Sequence, residues 1–273
     1  FKQKTAYEIR NCDWSSDVCS SDLFREAGEG TGREVDLDAF DLHYVQVFCF
    51  DEAAGAVLGG YRLTPIASTL ETRGPAGLYT FSLFQYDRTF LDELEDGVEL
   101  GRSFVRVEAW RSAAVLPLLW RGIGAWLAAR PGLQRLLGAV SIDARYTPTS
   151  IARMIGFLRA NHMLDSPVAL ARSRTPWLPD GPVTARAYAE GALERDLASL
   201  SRRIEQDEGR GVPVLVRQYL KLGARVLETN VDPHFSHVVD ALVLVDLARV
   251  EPARLARFMG PDAARRFRGA DAA

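Results

Sequence analysis

The 273-residue chain is 47% hydrophobic and 25% charged, with a formal net charge of -3, the balance of an ordinary globular protein. Its length fits one large domain or two small ones at roughly 150 residues each. A net-acidic chain does not supply the basic surface that neutralising phosphates requires, and no run reaches the roughly 18 uncharged apolar residues of a spanning helix. The best such run, Ala113 to Ala129, is cut by Arg121 and loosened by Pro117.

Basic residues are unevenly chosen: of the 33 Lys plus Arg, only Lys2, Lys4 and Lys221 are lysines. Two of these, with Cys12 and Cys19, precede Leu23. Lys2 to Ile9 (KQKTAYEI) and Asp13 to Leu23 (DWSSDVCSSDL) resemble translated short-read sequencing adapters. The stretch has neither the apolar h-region of a secretion signal nor the acid-poor bias of a transit peptide. Residues 1–23 are therefore expected to be an unpacked, adapter-derived artefact ahead of one N-terminally truncated domain over 24–273, and the chain as written is expected to be poorly stable or inactive. Cys49, within FCF, then reads as a buried residue of a reduced, cytoplasmic protein.

After an acidic run, DLDAFD, the segments Tyr44–Phe50 and Val57–Leu63 read as a hairpin around DEAAG. A Thr-, Pro- and Gly-rich loop leads to LYTFSLF and a short helix near Arg88–Glu95. Val98–Val107 is a strand by its β-branched and aromatic content. Apolar residues at helical spacing place a helix over Ser112–Ala129. Leu136–Ile142 is a strand, and Thr149–Asn161 a helix with Pro148 near its start. Asp165–Pro182 reads as a loop, Ala187–Glu208 as one charged helix, and VPVLVRQYLKLG as an amphipathic helix ended by Gly223. Strands Ala224–Thr229 and Val238–Val245 and a terminal PARLARFMG helix complete a mixed α/β chain with one mixed sheet and helices on both faces.

Glu99–Val107 carries the most chemical information. A glutamate, a glycine and an arginine interrupt an otherwise core-like strand, and local violations of this kind mark function. Strict alternation puts Glu99 and Arg102 on opposite faces, whereas one extra residue at Gly101 brings them to the same side. An ion pair at a strand end explains the same residues equally well.

The ordered strings DLDAFD, HYVQVF, GGYRL, ELGRSFV, WRSAAVLPLLWRGI, LLGAVSID, VPVLVRQYLKLGA and VDPHF resemble the ornithine-lipid-forming N-acyltransferases, often labelled hemolysin-like, of the GNAT superfamily. That group is related to the acyl-homoserine-lactone synthases and N-acyl amino acid synthases. The resemblance covers about Asp36 to Gly260 and implies a GNAT-like mixed sheet flanked by helices, whose first strand and helix are missing here. It implies transfer of a fatty acyl group, 3-hydroxylated in some members, from acyl carrier protein to the amine of ornithine. Glu99 takes the place of the general base, Arg102 completes the E-x-x-R, and Ser103 sits where a backbone N–H meets the oxyanion. Asp38, Asp41, Arg62 and Ser141 fall in the acceptor set, with Arg62 or Arg102 holding the acceptor carboxylate.

The acetyl-CoA loop R/Q-x-x-G-x-G/A is replaced by Arg111, Ser112, Ala113, Ala114, Val115 and Leu116, without glycines. Side chains there hinder approach to a pyrophosphate. The expected co-substrate is thus the phosphopantetheine thioester of acyl carrier protein, met by Arg106, Arg111 and Arg121, with no bound cofactor, no metal and only peripheral membrane contact. RGIGA at Arg121–Ala125 is read as helical, His162 as a helix C-terminal residue, and His234 and His237 as turn residues. Rival readings are an N-acyl amino acid or acyl-homoserine-lactone type synthase, and a non-catalytic acyl-binding module of the same fold.

Overall fold

The computed structural model describes residues 38–106, 109, 114–166 and 170–269. The expectation for residues 1–23 lies outside these, as do Trp110 and Arg111. In chain order the strands are β1 (Val45–Asp51), β2 (Ala56–Pro65), β3 (Phe84–Tyr86), β4 (Gly97–Val105), β5 (Arg135–Ile142), β6 (Ala171–Ser173), β7 (Arg225–Asp232) and β8 (Val238–Asp246). The helices are α1 (Ile66–Arg73), α2 (Arg88–Glu93), α3 (Val115–Ala128), α4 (Pro148–His162), α5 (Gly181–Ala192), α6 (Leu197–Glu208), α7 (Val214–Lys221), α8 (Pro252–Met259) and α9 (Pro261–Phe267). Six strands form one sheet in the order β1-β2-β4-β5-β8-β7, and β3 pairs with β6. The fold is the expected mixed α/β arrangement, with one six-stranded sheet and helices. Among the described residues no helix is long and apolar enough to cross a membrane.

The chain divides into two compact units, 1–79 with 92–137 and 246–273, and 80–91 with 138–245. In the first, β1 and β2 form the predicted hairpin, from Val45 opposite Leu63 to Asp51 opposite Ala56. Asp51 Oδ1 accepts the amides of Ala53 and Ala54 at 2.9 and 3.2 Å, and Gly55 turns the chain at φ 64°, a backbone state glycine adopts without steric penalty. Cys49 is buried, as expected. Helix α3 buries Val115, Leu119, Ile123 and Leu127, spaced to form one face. Pro117 stands in its first turn, where no intrahelical N–H is lost.

The RGIGA glycines have a packing reason. A Cβ built on Gly124 would lie 2.0 Å from the Met259 Cβ and 2.4 Å from its Cα, so only a glycine lets α8 approach α3. Trp120 meets Phe258 edge-on at 4.9 Å across the same contact.

The second unit uses the same device. A Cβ on Gly156 would lie 2.1 Å from the Tyr188 carbonyl oxygen, and one on Gly191 would lie 2.1 Å from that of Arg153. Helices α4 and α5 therefore meet backbone to backbone at reciprocal glycines. The β7–β8 hairpin turns through Ser236 and His237, both with positive φ (54° and 55°), and the amide of Val238 donates to the Phe235 carbonyl at 3.2 Å. Two such central residues match a twist-compatible hairpin turn.

Several sequence expectations are corrected. The charged stretch Ala187–Glu208 is not one helix: α5 ends at Ala192, and Asp196 caps α6 by accepting the Ser199 amide at 2.7 Å. Both helices are anchored, α5 through Thr184, Ala187 and Gly191 and α6 through Leu200 and Ile204. The supposed loop over 165–182 contains β6, paired with β3. Helix α1 follows Pro65 directly in a segment read as loop, held by Thr69 Oγ1 donating to the Pro65 carbonyl at 2.9 Å. Helix α9 was not foreseen.

Replacing Gly124 by Val should destabilise the chain by about 1–3 kcal/mol through overpacking against Met259. Urea unfolding of the variant beside the parent measures this, and Met259→Ala should restore little of the loss, because the clash is with the Cα and Cβ that alanine retains.

Candidate active site

The first unit gathers its charged residues where β2 and β4 pair. On β2, Arg62 lies opposite Gly101 and Thr64 opposite Glu99, so Arg62, Thr64, Glu99 and Gly101 share one face of the ladder. Between Gly60–Phe104 and Arg62–Gly101 the register slips by one residue, leaving Arg102 and Ser103 together opposite Tyr61. This is the expected bulge, one position beyond Gly101. The residue adopting the unusual backbone is Arg102, at φ 47°, a conformation rarely held by a non-glycine residue and often retained for function. Gly101 itself needs no special φ, and a Cβ there would meet nothing within 4 Å.

Arg62 is the centre of the cluster. It is 1% exposed, and its Nη1 donates to Asp38 Oδ1 and Oδ2 at 2.7 and 2.8 Å and to Asp41 Oδ1 at 3.0 Å. Rings of Phe40, Tyr44 and Tyr79 surround its guanidinium, whose carbon lies 5.4, 5.1 and 5.3 Å from their centres, within cation–π range. Burial works against this charge, but the Asp38 and Asp41 carboxylates outweigh it and raise the Arg62 pKa above its usual value.

The two aspartates are positioned by their own turn, Ala39–Leu42. Asp38 accepts the Phe40 amide at 2.8 Å, and Asp41 Oδ2 accepts the Asp38 amide at 2.9 Å, a reciprocal capping box. Arg102 Nη1 then donates to Asp38 Oδ2 at 3.0 Å, so one carboxylate bridges both arginines.

Glu99 is 0% exposed. Its Oε2 accepts a short hydrogen bond from the Tyr44 hydroxyl and another from the Tyr79 amide at 2.9 Å. The Tyr79 amide also reaches the Tyr44 oxygen at 3.0 Å. Burial, the Glu99 charge and the hydrogen bond to it push the Tyr44 phenol well above its ordinary range. His43 adjoins the cluster, its Nε2–H donating to the Gly77 carbonyl at 2.9 Å.

Of the residues singled out from sequence, Asp38, Asp41, Arg62 and Arg102 are joined directly, and Glu99 joins them through Tyr44. Ser103 is half-buried at the bulge. Asp38 and Asp41 engage Nη1 of Arg62, a side chain 1% exposed, while its buried Nε has no hydrogen-bond partner among the described residues. Ser141 belongs to the other unit, where its hydroxyl donates to Asp240 at 2.7 Å. Arg106 is half-buried, Arg121 is exposed on α3, and Arg111 falls outside the described residues. Among the described residues no group of three or more His, Cys, Asp or Glu is placed to hold a metal ion. Sequence reading missed Tyr44, Tyr79 and Phe40. The aromatics adjoining the acidic run were the available signal, but the contribution of Tyr79 to Glu99 is a backbone amide that no side-chain pattern reveals.

Substituting Asp38 by Asn keeps an N-cap acceptor and removes the charge shared by Arg62 and Arg102. The variant should lose about 2–4 kcal/mol of stability, because a buried guanidinium loses most of its counter-charge. Asp41→Asn, which removes a single longer contact, should lose less, and urea midpoints of the two variants give the order.

Residues 21–121 match the acetyltransferase (GNAT) domain family. A glycine Nα-acyltransferase of Phocaeicola vulgatus is 28% identical over 240 residues, covering 81% of this chain and 72% of the relative. An L-ornithine Nα-acyltransferase of Agrobacterium fabrum is 25% identical over 234 residues, covering 83% and 72%. The solved structure of a CoA-dependent acyl-homoserine lactone synthase, MesI, aligns with 96% of this chain and 81% of its own at 12% identity and a TM-score of 0.36. Asp38, Asp41, Arg62, Glu99 and Arg102 all fall inside the span that matches this acetyltransferase (GNAT) domain family.

Proposed function

We propose that this chain is an N-acyltransferase that moves an acyl group from a thioester to the α-amine of an amino acid, with Glu99 as general base. The carrying observation is Glu99 itself: a wholly buried glutamate on a bulged strand, fixed through one oxygen, on the ladder face it shares with Arg62. The names of the relatives, glycine and ornithine Nα-acyltransferases, support the reaction class.

An amine attacks a thioester carbonyl only when neutral. Glu99, directly or through water, takes the proton of the substrate ammonium. The nitrogen then bonds to the carbonyl carbon, the C–S bond breaks, and the second proton shed by the nitrogen as the amide forms goes to the departing thiolate. No covalent enzyme intermediate is needed. The bulge takes its extra residue out of the regular ladder, and the backbone around Ser103 is the proposed donor to the developing oxyanion. Arg102 is the arginine assigned to the acceptor carboxylate: its side chain is 15% exposed where that of Arg62 is 1% exposed, and it already binds the carboxylate of Asp38.

Two finer assignments belong to the same proposal. The donor is acyl carrier protein, approached by the exposed Arg121 with Arg106 and Arg111, because Ala114, Val115 and Leu116 stand where a glycine loop would let a pyrophosphate come close. The acceptor is ornithine, with glycine as the alternative that the relatives' names support.

Lipid extracts of cells expressing the chain should contain a new N-acylated amino acid by mass spectrometry, and its mass decides between ornithine and glycine. Glu99→Gln should lower turnover by about 10²–10⁴-fold, the range for loss of a general base. An N-acyl product formed undiminished by the variant would overturn the role of Glu99. Absence of any acylated amine from cells supplied with both acceptors would favour an acyl-binding module.

A further inference from the structure

Glu99 has no exposed surface, so its orientation is set by the protein groups that meet it. Transfer out of water penalises the charged form of a carboxyl, whereas hydrogen bonds donated to the carboxylate favour it. Two donors meet at one oxygen, Glu99 Oε2: the Tyr44 hydroxyl and the Tyr79 amide. The phenol is itself oriented, because its oxygen accepts from the same Tyr79 amide at 3.0 Å and its ring is packed against the Arg62 guanidinium and edge-on to Phe40 at 6.0 Å. Tyr44 is 1% exposed, so water does not compete for the bond.

We propose that Tyr44 is a positioning residue that holds the Glu99 carboxyl in a fixed orientation through its hydroxyl, an assignment that rests on Glu99 as the base for its catalytic meaning. Tyr44 touches no reacting atom. It remains a donor rather than a proton shuttle, since burial and the neighbouring Glu99 charge push its ionisation above the working range. The charged and titratable groups around the pair are Asp38 and Asp41 on the capping turn, His43 at its end, Arg62 on β2 and Arg102 on β4. Tyr44→Phe leaves all of these in place and keeps the ring against Arg62.

The test compares acyl transfer by the full chain carrying Tyr44→Phe, Glu99→Gln or both. Tyr44→Phe should lower kcat by about tenfold with KM little changed, and in the Glu99→Gln background it should cost nothing further, because no base is left to orient. An equal loss in both backgrounds would overturn the assignment, since damage to packing lowers the rate whichever residue stands at position 99. Should Tyr44→Phe fail to fold, 3-fluorotyrosine at position 44, a stronger donor on nearly the same ring, decides alone: a changed kcat that disappears in the Glu99→Gln background supports the proposal, and an unchanged kcat overturns it. Undiminished turnover in Glu99→Gln would instead overturn the base itself, and the role of Tyr44 with it.

Discussion

A guanidinium buried in the first unit sets the terms for everything around it. Arg62 sits inside a strand whose neighbours Tyr61 and Leu63 are core residues, and a charge in that position is tolerated only when paired and hydrogen-bonded. The capping turn Ala39–Leu42 supplies both carboxylates, and the turn is in turn fixed by the arginine it serves. Three aromatic rings then close the site to water, which strengthens each electrostatic contact inside it.

This constraint divides the arginines by role. Arg62 is consumed by structure: its partners are internal, and its function is to hold Asp38 and Asp41 in place. Arg102 meets Asp38 as well and keeps some exposure, which is why the proposed acceptor contact is placed on it. The division depends on the bulge. Without the extra residue in β4, Arg102 would point to the opposite side of the sheet from Glu99, and Asp38 could not bridge both guanidinium groups. The positive φ at Arg102 is the local strain by which that placement is obtained.

Glu99 is held differently. A phenol and a backbone amide both donate to its Oε2, so that oxygen is fixed by two neutral donors at a fully buried position. Catalysis by preorganised groups benefits from such fixed dipoles, because nothing need reorient when charge moves. The close packing of α3 against α8 serves the same end at longer range. Gly124 lets Met259 seat directly on the helix that buries Leu119 and Ile123 behind the strands, giving the site a rigid support.

Much of this was legible in the chain because it is local. The β1–β2 hairpin follows from alternation around a turn, α3 and α4 from their apolar spacing and proline placement, and the existence of a bulge in ELGRSFV from three residues that do not suit a core strand. The family resemblance added the identity of the charged residues. What only the tertiary structure decided are contacts between segments far apart in sequence: Arg62 with Asp38, Arg102 with Asp38, and Glu99 with Tyr44, separated by 24, 64 and 55 positions. Those depend on strand register, where a slip of one residue reverses every side chain, and on a bulge at Arg102–Ser103 rather than at the glycine that advertised it. The break between α5 and α6 was likewise hidden, since a charged run continues through it and only the Asp196 cap marks the new start. Composition and periodicity fix which residues must be buried; the register fixes which buried charges meet.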